Sequence, residues 1–424
     1  MKLMLESMMK EIDPVISDIL NQSLDSKNLS VEQATELFDS TGIEMIMTAI
    51  VADVLRKKSI GDNVTYVINR NINFTNVCIK RCGFCAYSRD FRNEETYFLP
   101  IVEIVRRAEE AWKLGATEIC IQAGLPPNMD GFLYVDICKA IKKELPNIHI
   151  HAFSPEEILY GSNRSGLSVK EYLSMLKESG LGSLPGTAAE ILDQNLRDLI
   201  SPGRISVSDW IDVITSAHKM KIPTTSTIMY GHVETSADKA KHLELIRSIQ
   251  KETNGFTEFV PLSFIHKEAP MYNKNLVNGV SPGPTGQDVI KMHAISRIML
   301  NNFIKNIQVS WVKEGAKMSQ LLLQSGVNDF GGTLINESIS TSAGSEFGQI
   351  MKPKEIRSLI TSAGRVPAQR NSVYEIIKVF DEKDNDESLL DMAETSQFGS
   401  YHELIKLDKF RYKNTKIPNE KPAS

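Results

Sequence analysis

The sequence predicts an α/β fold in which a (β/α)8 TIM-type barrel carries helical segments at both ends. Short apolar segments rich in β-branched residues alternate with helical segments, a pattern typical of parallel strands joined by crossover helices. Eight such strands follow one another over about 270 residues, the length of one closed barrel. No G-x-G-x-x-G sequence follows the first strand, which disfavours an open nucleotide-binding sheet.

The first 60 residues are expected to form helices that precede the barrel. Ser30 is a suitable N-cap for a helix that starts at Val31, and apolar residues recur at helical spacing over 43–55. We therefore expect an N-terminal helical extension at 1–60, the barrel at 61–344, and a C-terminal helical segment at 345–424 that ends in a loosely packed tail from Leu407.

Strands and helices alternate in order within the barrel region. The predicted strands are 64–68, 118–122, 148–153, 182–184, 224–229, 258–262, 307–311 and 332–335. The predicted crossover helices are 102–114, 135–144, 169–179, 207–220, 237–251 and 286–299. Because active sites of such barrels lie at the carboxyl ends of the strands, residues at these ends are the first candidates for a site.

Charge and hydropathy exclude several classes of function. Lys and Arg number 48 against 53 Asp and Glu, so the formal net charge is −5 and no basic surplus exists for binding nucleic acid. No apolar run approaches the roughly 18 residues of a membrane-spanning helix. Glu6 and Glu11 interrupt any signal-peptide core near the N-terminus. We expect a soluble, cytoplasmic protein with neither nucleic acid nor membrane as a partner.

Three of the five cysteines form a compact motif. Cys78, Cys82 and Cys85 have the spacing C-x3-C-x2-C and directly follow the first predicted strand. Three thiolates without a fourth suit a 4Fe–4S cluster with one iron open to a ligand. Cys120 and Cys138 lie in a predicted strand and a predicted helix, where inert buried thiols are expected.

A structural zinc site and accidental clustering are the alternatives to an iron–sulfur cluster at this motif. Structural zinc takes four ligands, and the nearest histidine in the sequence, His149, lies far from the motif. An odd and low number of cysteines argues against a disulfide framework. The iron–sulfur interpretation is favoured over both alternatives.

The motif, with Phe84 before its third cysteine, resembles the radical S-adenosylmethionine (SAM) superfamily. The resemblance implies a radical SAM barrel, one 4Fe–4S cluster on Cys78, Cys82 and Cys85, and SAM bound at the open iron. It also implies that Phe84 packs near the adenine. The residues expected to contact the cofactor are Phe84, Tyr87, Gln122, Ala123, Gly124, Ser154 and Glu190.

One position departs from the superfamily pattern. Relatives have Q-G-G after the second strand, whereas this chain has Gln122, Ala123 and Gly124. The resemblance implies that this backbone edge binds the amino group of SAM. Ala123 is compatible with that role if its φ is negative. Glu190, expected near the SAM ribose or the substrate ammonium, has an alternative role as the cap of a helix over 188–192.

Further segments narrow the resemblance to the tyrosine-using subunit of FO (deazaflavin) synthase. They are 71–76, 151–155, 185–190, 227–234, 258–266, 328–333 and 363–370. Two menaquinone-pathway enzymes, aminofutalosine synthase and dehypoxanthine futalosine cyclase, share the cysteine motif and the 363–370 segment. The forms of 187–190 and 264–266 favour the deazaflavin enzyme.

The resemblance implies a radical SAM transferase of coenzyme F(420) biosynthesis. A hydrogen atom is taken from the amino group of L-tyrosine, the Cα–Cβ bond breaks, and the 4-hydroxybenzyl radical adds to 5-amino-6-(D-ribitylamino)uracil. A single cysteine motif suits one half of FO synthesis, so the second radical SAM subunit and an electron donor are the expected partners. A menaquinone-pathway enzyme and a non-catalytic iron–sulfur protein remain the alternatives.

Candidate substrate-binding and catalytic residues lie near the carboxyl ends of the predicted strands. Histidines there can hold a phenol, accept a proton or bind the uracil edge, and aromatic residues can shield a radical from water. Each also has an ordinary structural role as its alternative. The candidates are His151, Thr227, Tyr230, His232, Phe264 and His266.

Overall fold

The architecture is a ring of parallel strands surrounded by helices, in a computed structural model that describes Leu5, 7–381 and 387–413. The first barrel strand has two parts, β1 (Asn63–Val67) and β2 (Asn69–Asn71). β2 pairs in parallel with β3 (Glu118–Ile121), and β3 pairs with β4 (His149–Ala152). The predicted α/β class is confirmed by these pairings.

Isolated bridges and longer pairings complete the ring. A short fourth strand at 183–184 links β4 to β5 (Thr224–Tyr230), and β5 pairs with β6 (Phe256–Ser263). A seventh position at 307–308 links β6 to β7 (Asp329–Gly332), which returns to β1. All these pairings are parallel, so the eight strand positions form the ring that the (β/α)8 expectation requires.

Helices cover the outside of the ring and extend it at the N-terminus. Within the described part of the extension, the helices whose bounds are defined are α1 (Pro14–Leu24), α2 (Val31–Asp39) and α3 (Gly42–Ile60). The crossover and loop helices are α4 (Ile101–Lys113), α5 (Leu133–Glu144), α6 (Pro155–Ser165), α7 (Val169–Glu178), α8 (Gln194–Ile200), α9 (Val207–Lys219), α10 (Ser236–Thr253), α11 (Pro270–Asn273), α12 (Gly286–Leu300) and α13 (Trp311–Leu322). Among the described residues, no helix is both long and apolar enough to cross a bilayer.

The N-terminal helices contact the helices around the barrel. Ser30 caps α2 by accepting a hydrogen bond from the Gln33 N–H, and the Gln33 side chain bonds back to the Ser30 backbone. The ammonium of Lys291, on α12, donates to the Phe38 carbonyl at 2.6 Å. The Lys291 hydrogen bond joins the extension to a helix on one side of the ring.

The C-terminal segment differs from its predicted helical structure. It contains a hairpin of β8 (Val366–Arg370) and β9 (Ile376–Val379) among the helices α15 (Pro353–Ser362), α16 (Leu389–Met392) and α17 (Tyr401–Leu404), and the short helix α14 (Ile339–Ser342) lies just before it. β8 pairs in parallel with β1, and β9 pairs with β8 in antiparallel orientation. The wholly helical expectation is wrong because pairing with β1, a contact distant in sequence, decides this conformation.

The predicted tail is described only as far as residue 413, and 414–424 lie outside the described residues. Its first part is not loosely packed: Phe410 is buried, and its carbonyl accepts a hydrogen bond from the Phe98 N–H at 2.8 Å. The last barrel strand also begins three residues earlier than predicted, at Asp329. No helix forms over 188–192.

Candidate functional site

A cavity of about 390 Å³ occupies the lumen of the barrel and extends to the loops after the strands. Strand residues reach it in alternation, as the geometry of a strand requires. On β3, Glu118 and Cys120 line the cavity while Ile119 and Ile121 are buried on the helix side. The predicted site residues that line the cavity are Cys78, Cys82, Phe84, Cys85, Tyr87, Gln122, Ala123, Gly124, His151, Ser154, Glu190, Thr227 and Phe264.

The loop that carries the three cysteines is held in place by backbone hydrogen bonds. The Cys78 N–H donates to the Arg89 carbonyl at 3.1 Å. The Gly83 N–H donates to the Ile200 carbonyl at 2.8 Å, and the Gly83 carbonyl accepts from the Met271 N–H at 2.7 Å. A Cβ on Gly83 would lie 2.8 Å from the Met271 Cβ, so this close approach requires glycine.

The donor set of this loop fits an iron–sulfur cluster. All three cysteines are free, partly buried and on the wall of the same cavity. Among the described residues, no three His, Cys, Asp or Glu side chains converge on the position of one metal ion. A cubane cluster does not require its ligands to converge on one position, because each thiolate binds a different iron.

The surroundings of the thiols explain why a cluster is needed to ionise them. Burial raises the pKa of Cys78, and it raises the pKa of Cys82 to about 12, while the charge of Arg204 acts in the opposite direction on both. The free thiols of Cys78 and Cys82 would therefore stay protonated at neutral pH, whereas binding to iron deprotonates a thiol. Arg204 also lies over the ring of Phe84, with its guanidinium carbon 5.3 Å from the ring centre.

Arg204 connects the cysteine loop to two carboxylates. Its Nη1 donates to Glu190 Oε1 at 2.6 Å, and its Nε lies 3.5 Å from Glu156 Oε2. Glu190 adopts the left-handed backbone region with φ of 43°, which turns its side chain toward this cation and not along a helix. Glu190 was predicted from the sequence, whereas Arg204 and Glu156 were missed because no motif marks them.

The backbone edge at 122–124 has the conformation that its predicted role requires. The φ of Ala123 is not positive, and the Ala123 N–H donates to Glu157 Oε1 at 2.9 Å. A Cβ on Gly124 would overlap the Val77 carbonyl oxygen, so Gly124 packs directly on the backbone that leads into the cysteine loop. Ser154 caps α6 and bonds the other Glu157 oxygen. Burial raises the pKa of Glu157 to about 7, although these hydrogen bonds favour its carboxylate.

His151 presents one ring nitrogen to the cavity. Its Nδ1 lies 2.7 Å from Ser183 Oγ, and the Nε2 of His149 lies 2.7 Å from the same oxygen. Because a hydroxyl donates only one hydrogen, one imidazole accepts from Ser183 and the other donates to it. Burial lowers the pKa of His151 and so favours the neutral ring, while nearby Glu118 acts in the opposite direction.

The amino end of the lumen is filled by a buried charge network, whose charged residues lie in the segments 258–266, 328–333 and 363–370 but were not among the predicted site residues. Arg370, at the end of β8, donates from Nε and Nη2 to the two oxygens of Asp329 at 2.6 and 3.0 Å. Its Nη2 also lies 3.7 Å from Glu258, which accepts a hydrogen bond from the Tyr374 hydroxyl. The C-terminal hairpin thereby closes this end of the barrel.

Three predicted site residues do not line this cavity. Thr227 and Met229 of β5 face the lumen, whereas Tyr230 lies on the opposite face of that strand. There the Tyr230 hydroxyl lies 3.0 Å from Ser263 Oγ. His232 is buried; its Nδ1 accepts from the Val233 N–H, so Nε2 donates to the Met229 carbonyl. His266 packs edge-on against a tyrosine, Tyr272, with ring centres 4.8 Å apart.

Comparison with known proteins identifies two regions of the chain. Residues 72–246 match the model of the radical SAM superfamily, and residues 253–383 match the model of the CofH/MqnC C-terminal region. The first match begins just before the cysteine loop. The second spans the last barrel strands and the β8–β9 hairpin.

Relatives of known activity align over nearly their whole length. A 5-amino-6-(D-ribitylamino)uracil–L-tyrosine 4-hydroxyphenyl transferase from Methanocaldococcus jannaschii is 50% identical over 355 residues, which cover 83% of this chain and 98% of that protein. Transferases of the same name from Methanothermobacter thermautotrophicus and Methanococcus maripaludis are 46% and 48% identical, over 85% and 84% of this chain and 97% and 99% of theirs.

Solved structures support the fold at lower sequence identity. HydG, a maturase of the FeFe-hydrogenase, superposes with a TM-score of 0.67 and 16% identity, covering 87% of this chain and 79% of HydG. Methylornithine synthase (PylB) superposes with a TM-score of 0.65 and 17% identity, covering 82% of this chain and 97% of PylB. These likenesses concern the fold alone.

Proposed function

The chain belongs to the family of the 5-amino-6-(D-ribitylamino)uracil–L-tyrosine 4-hydroxyphenyl transferases within the radical SAM superfamily, and on this basis we propose that it catalyses the reaction in that name. In that reaction the Cα–Cβ bond of L-tyrosine breaks and the 4-hydroxybenzyl group joins the ribitylaminouracil. One observation carries the proposal: the C-x3-C-x2-C loop lines the lumen of the barrel. The chain that contains this loop is 50% identical to such a transferase.

The cofactors are those of the radical SAM family, a 4Fe–4S cluster and SAM. When bound, they supply a carbon-centred radical that can abstract a hydrogen atom from a substrate. Cys78, Cys82 and Cys85 would hold the cluster. The backbone at 122–124 and the pair of Glu190 with Arg204 would hold SAM beside it, because both lie on the same cavity wall.

The chain itself orients the substrates and excludes water. A strip of apolar side chains from one strand and its end, Val260, Leu262 and Phe264, faces the lumen and would pack against the ring of tyrosine. The enclosed lumen would keep a radical away from solvent and stray hydrogen donors. In the tautomer whose Nδ1–H donates to Ser183, His151 would offer Nε2 to a substrate proton.

The functional partners and the location form part of the same proposal. A single cysteine motif supports the view that a second radical SAM subunit completes ring closure, and an electron donor must reduce the cluster. The proposed location of the enzyme is the cytoplasm, where these partners would act.

One anaerobic assay tests the function. Reconstituted protein receives dithionite, SAM, the ribitylaminouracil and either L-tyrosine or ring-deuterated L-tyrosine, and products are followed by mass spectrometry. We expect 5′-deoxyadenosine and a hydroxybenzyl–uracil adduct whose mass shifts with the deuterated ring.

The remaining outcomes discriminate among the alternatives. Deoxyadenosine without adduct would reject these substrates and favour a menaquinone-pathway reaction. Neither product, from protein with full iron content, would reject the catalytic proposal and leave a non-catalytic iron–sulfur protein.

A further inference from the structure

Four cationic side chains line the cavity, and they differ in their partners. A buried cation is stable when a carboxylate neutralises it, and three of the four have such a partner. The three paired cations are Lys80, 3.2 Å from Glu156; Arg204, 2.6 Å from Glu190; and Arg370, 2.6 Å from Asp329.

The fourth cation, Lys313, has no ion-pair partner among the described residues. Its Nζ donates one hydrogen bond, to the Ser263 carbonyl at 3.2 Å. The nearest carboxylates already have donors: Glu314 accepts from the Ser263 hydroxyl, and Glu337 accepts from backbone N–H groups at the start of α14. Burial lowers the pKa of Lys313, while Glu337, Glu314 and Glu190 act in the opposite direction without forming an ion pair with it among the described residues.

Backbone geometry turns Lys313 toward the lumen. Gly315 has a φ of 72°, which breaks α13 after its first turn. A Cβ on Gly315 would lie 2.6 Å from the Phe347 ring, so glycine is required at this break. Val312 and Lys313, which precede the break at Gly315, line the cavity. Lys317, which follows the break, is exposed to solvent.

We propose that Lys313 binds the α-carboxylate of the amino acid substrate. The inference rests on the proposed function, in which the uracil substrate carries no carboxylate and L-tyrosine does. Phe264 lines the same cavity and can pack on the tyrosine ring while Lys313 holds the other end of the molecule. SAM also has a carboxylate, and the experiment below separates the two.

The test compares L-tyrosine with tyramine, which lacks the carboxylate. Binding is measured by anaerobic calorimetry on reconstituted full-length protein with SAM and without reductant, so no turnover occurs. The variants are Lys313→Met, Lys313→Arg and the matched control Lys317→Met on the same helix. In Lys313→Met we expect the dissociation constant of L-tyrosine to rise about 10-fold or more, the size of one lost charge-assisted hydrogen bond.

Tyramine affinity should be unchanged or higher in Lys313→Met, because the repulsion between two ammonium groups is removed. Lys313→Arg should restore part of the preference for L-tyrosine, and Lys317→Met should match the wild type. Folding should survive, since Lys313 makes one hydrogen bond and no ion pair among the described residues; the thermal midpoint is expected to stay equal or rise.

The contrary outcomes are distinct. If Lys313→Met keeps the wild-type preference for L-tyrosine over tyramine, the assignment is overturned. It is equally overturned if the affinity for SAM falls and that for L-tyrosine does not. Wild-type protein that neither binds L-tyrosine nor forms the adduct would instead overturn the proposed function.

Discussion

At the scale of single residues, the five cysteines divide by position. Cys82 lies on the cavity wall in the loop, whereas Cys138 is fully buried in α5. In Cys82→Ala, iron and labile sulfide after reconstitution should fall from about four per chain to near zero, because a cubane on two protein thiolates is not retained. Cys138→Ala serves as the matched control and should keep its iron. Full iron content in Cys82→Ala would contradict the cluster assignment.

The sequence predicted some residues of the site and not others, for a physical reason. The cysteines and the 122–124 edge carry local motifs, so they could be identified without a structure. Arg204 reaches the site only through tertiary packing, and nothing in its neighbourhood marks it. Thr227 and Tyr230 were both proposed, yet residues three apart on one strand face opposite sides of a sheet. Applying that alternation would have removed Tyr230.

At the scale of elements, we expect the β8–β9 hairpin to depend on the buried ion pair of Arg370 with Asp329. Arg370 and Asp329 are almost fully buried and join by two hydrogen bonds. Asp329→Asn leaves the guanidinium without its main counter-charge, and breaking such a pair costs about 3–5 kcal/mol. We expect the free energy of unfolding in denaturant to fall by that amount.

An exposed ion pair provides the control for that measurement. Lys267 and Glu346 form a bridge whose side chains are 49% and 77% exposed, so solvent screens it. Glu346→Gln should leave the unfolding midpoint nearly unchanged. Equal losses in Asp329→Asn and Glu346→Gln would show that the hairpin does not depend on its buried contact.

At the scale of the whole molecule, the ring of strands was predictable because short apolar segments alternate with helical segments along the sequence. The observed strands at Glu118–Ile121, His149–Ala152 and Thr224–Tyr230 match the predicted segments within one residue at each end. The seventh position shortens to 307–308 because α13 begins at Trp311. The hairpin was not predicted because β1, the strand with which it pairs, lies about 300 residues earlier in the sequence.

Buried neutral histidines across the molecule predict loss of stability in acid. Burial lowers the pKa of His218 and His293 to about 4 and that of His242 to about 3. Between about pH 6.5 and about pH 4 the native state therefore binds fewer protons than the unfolded chain, so the free energy of unfolding falls as pH falls. Burial also raises the pKa of four described glutamates, Glu157, Glu258, Glu314 and Glu337, and these act in the opposite direction. They are fewer than the six described histidines whose pKa burial lowers, which are His149, His151, His218, His232, His242 and His293.

His293 gives the sharpest test of that prediction. It is fully buried in α12, where Nδ1 donates to the Val289 carbonyl at 2.8 Å and Nε2 is without a partner among the described residues. In denaturant titrations of the cluster-free full chain, His293→Phe should lose about 2 kcal/mol less stability than wild type between about pH 7 and about pH 5. The exposed His402 supplies the control, and His402→Gln should follow the wild-type pH dependence. If His293→Phe and wild type lose stability in parallel, protonation of this histidine does not drive acid unfolding.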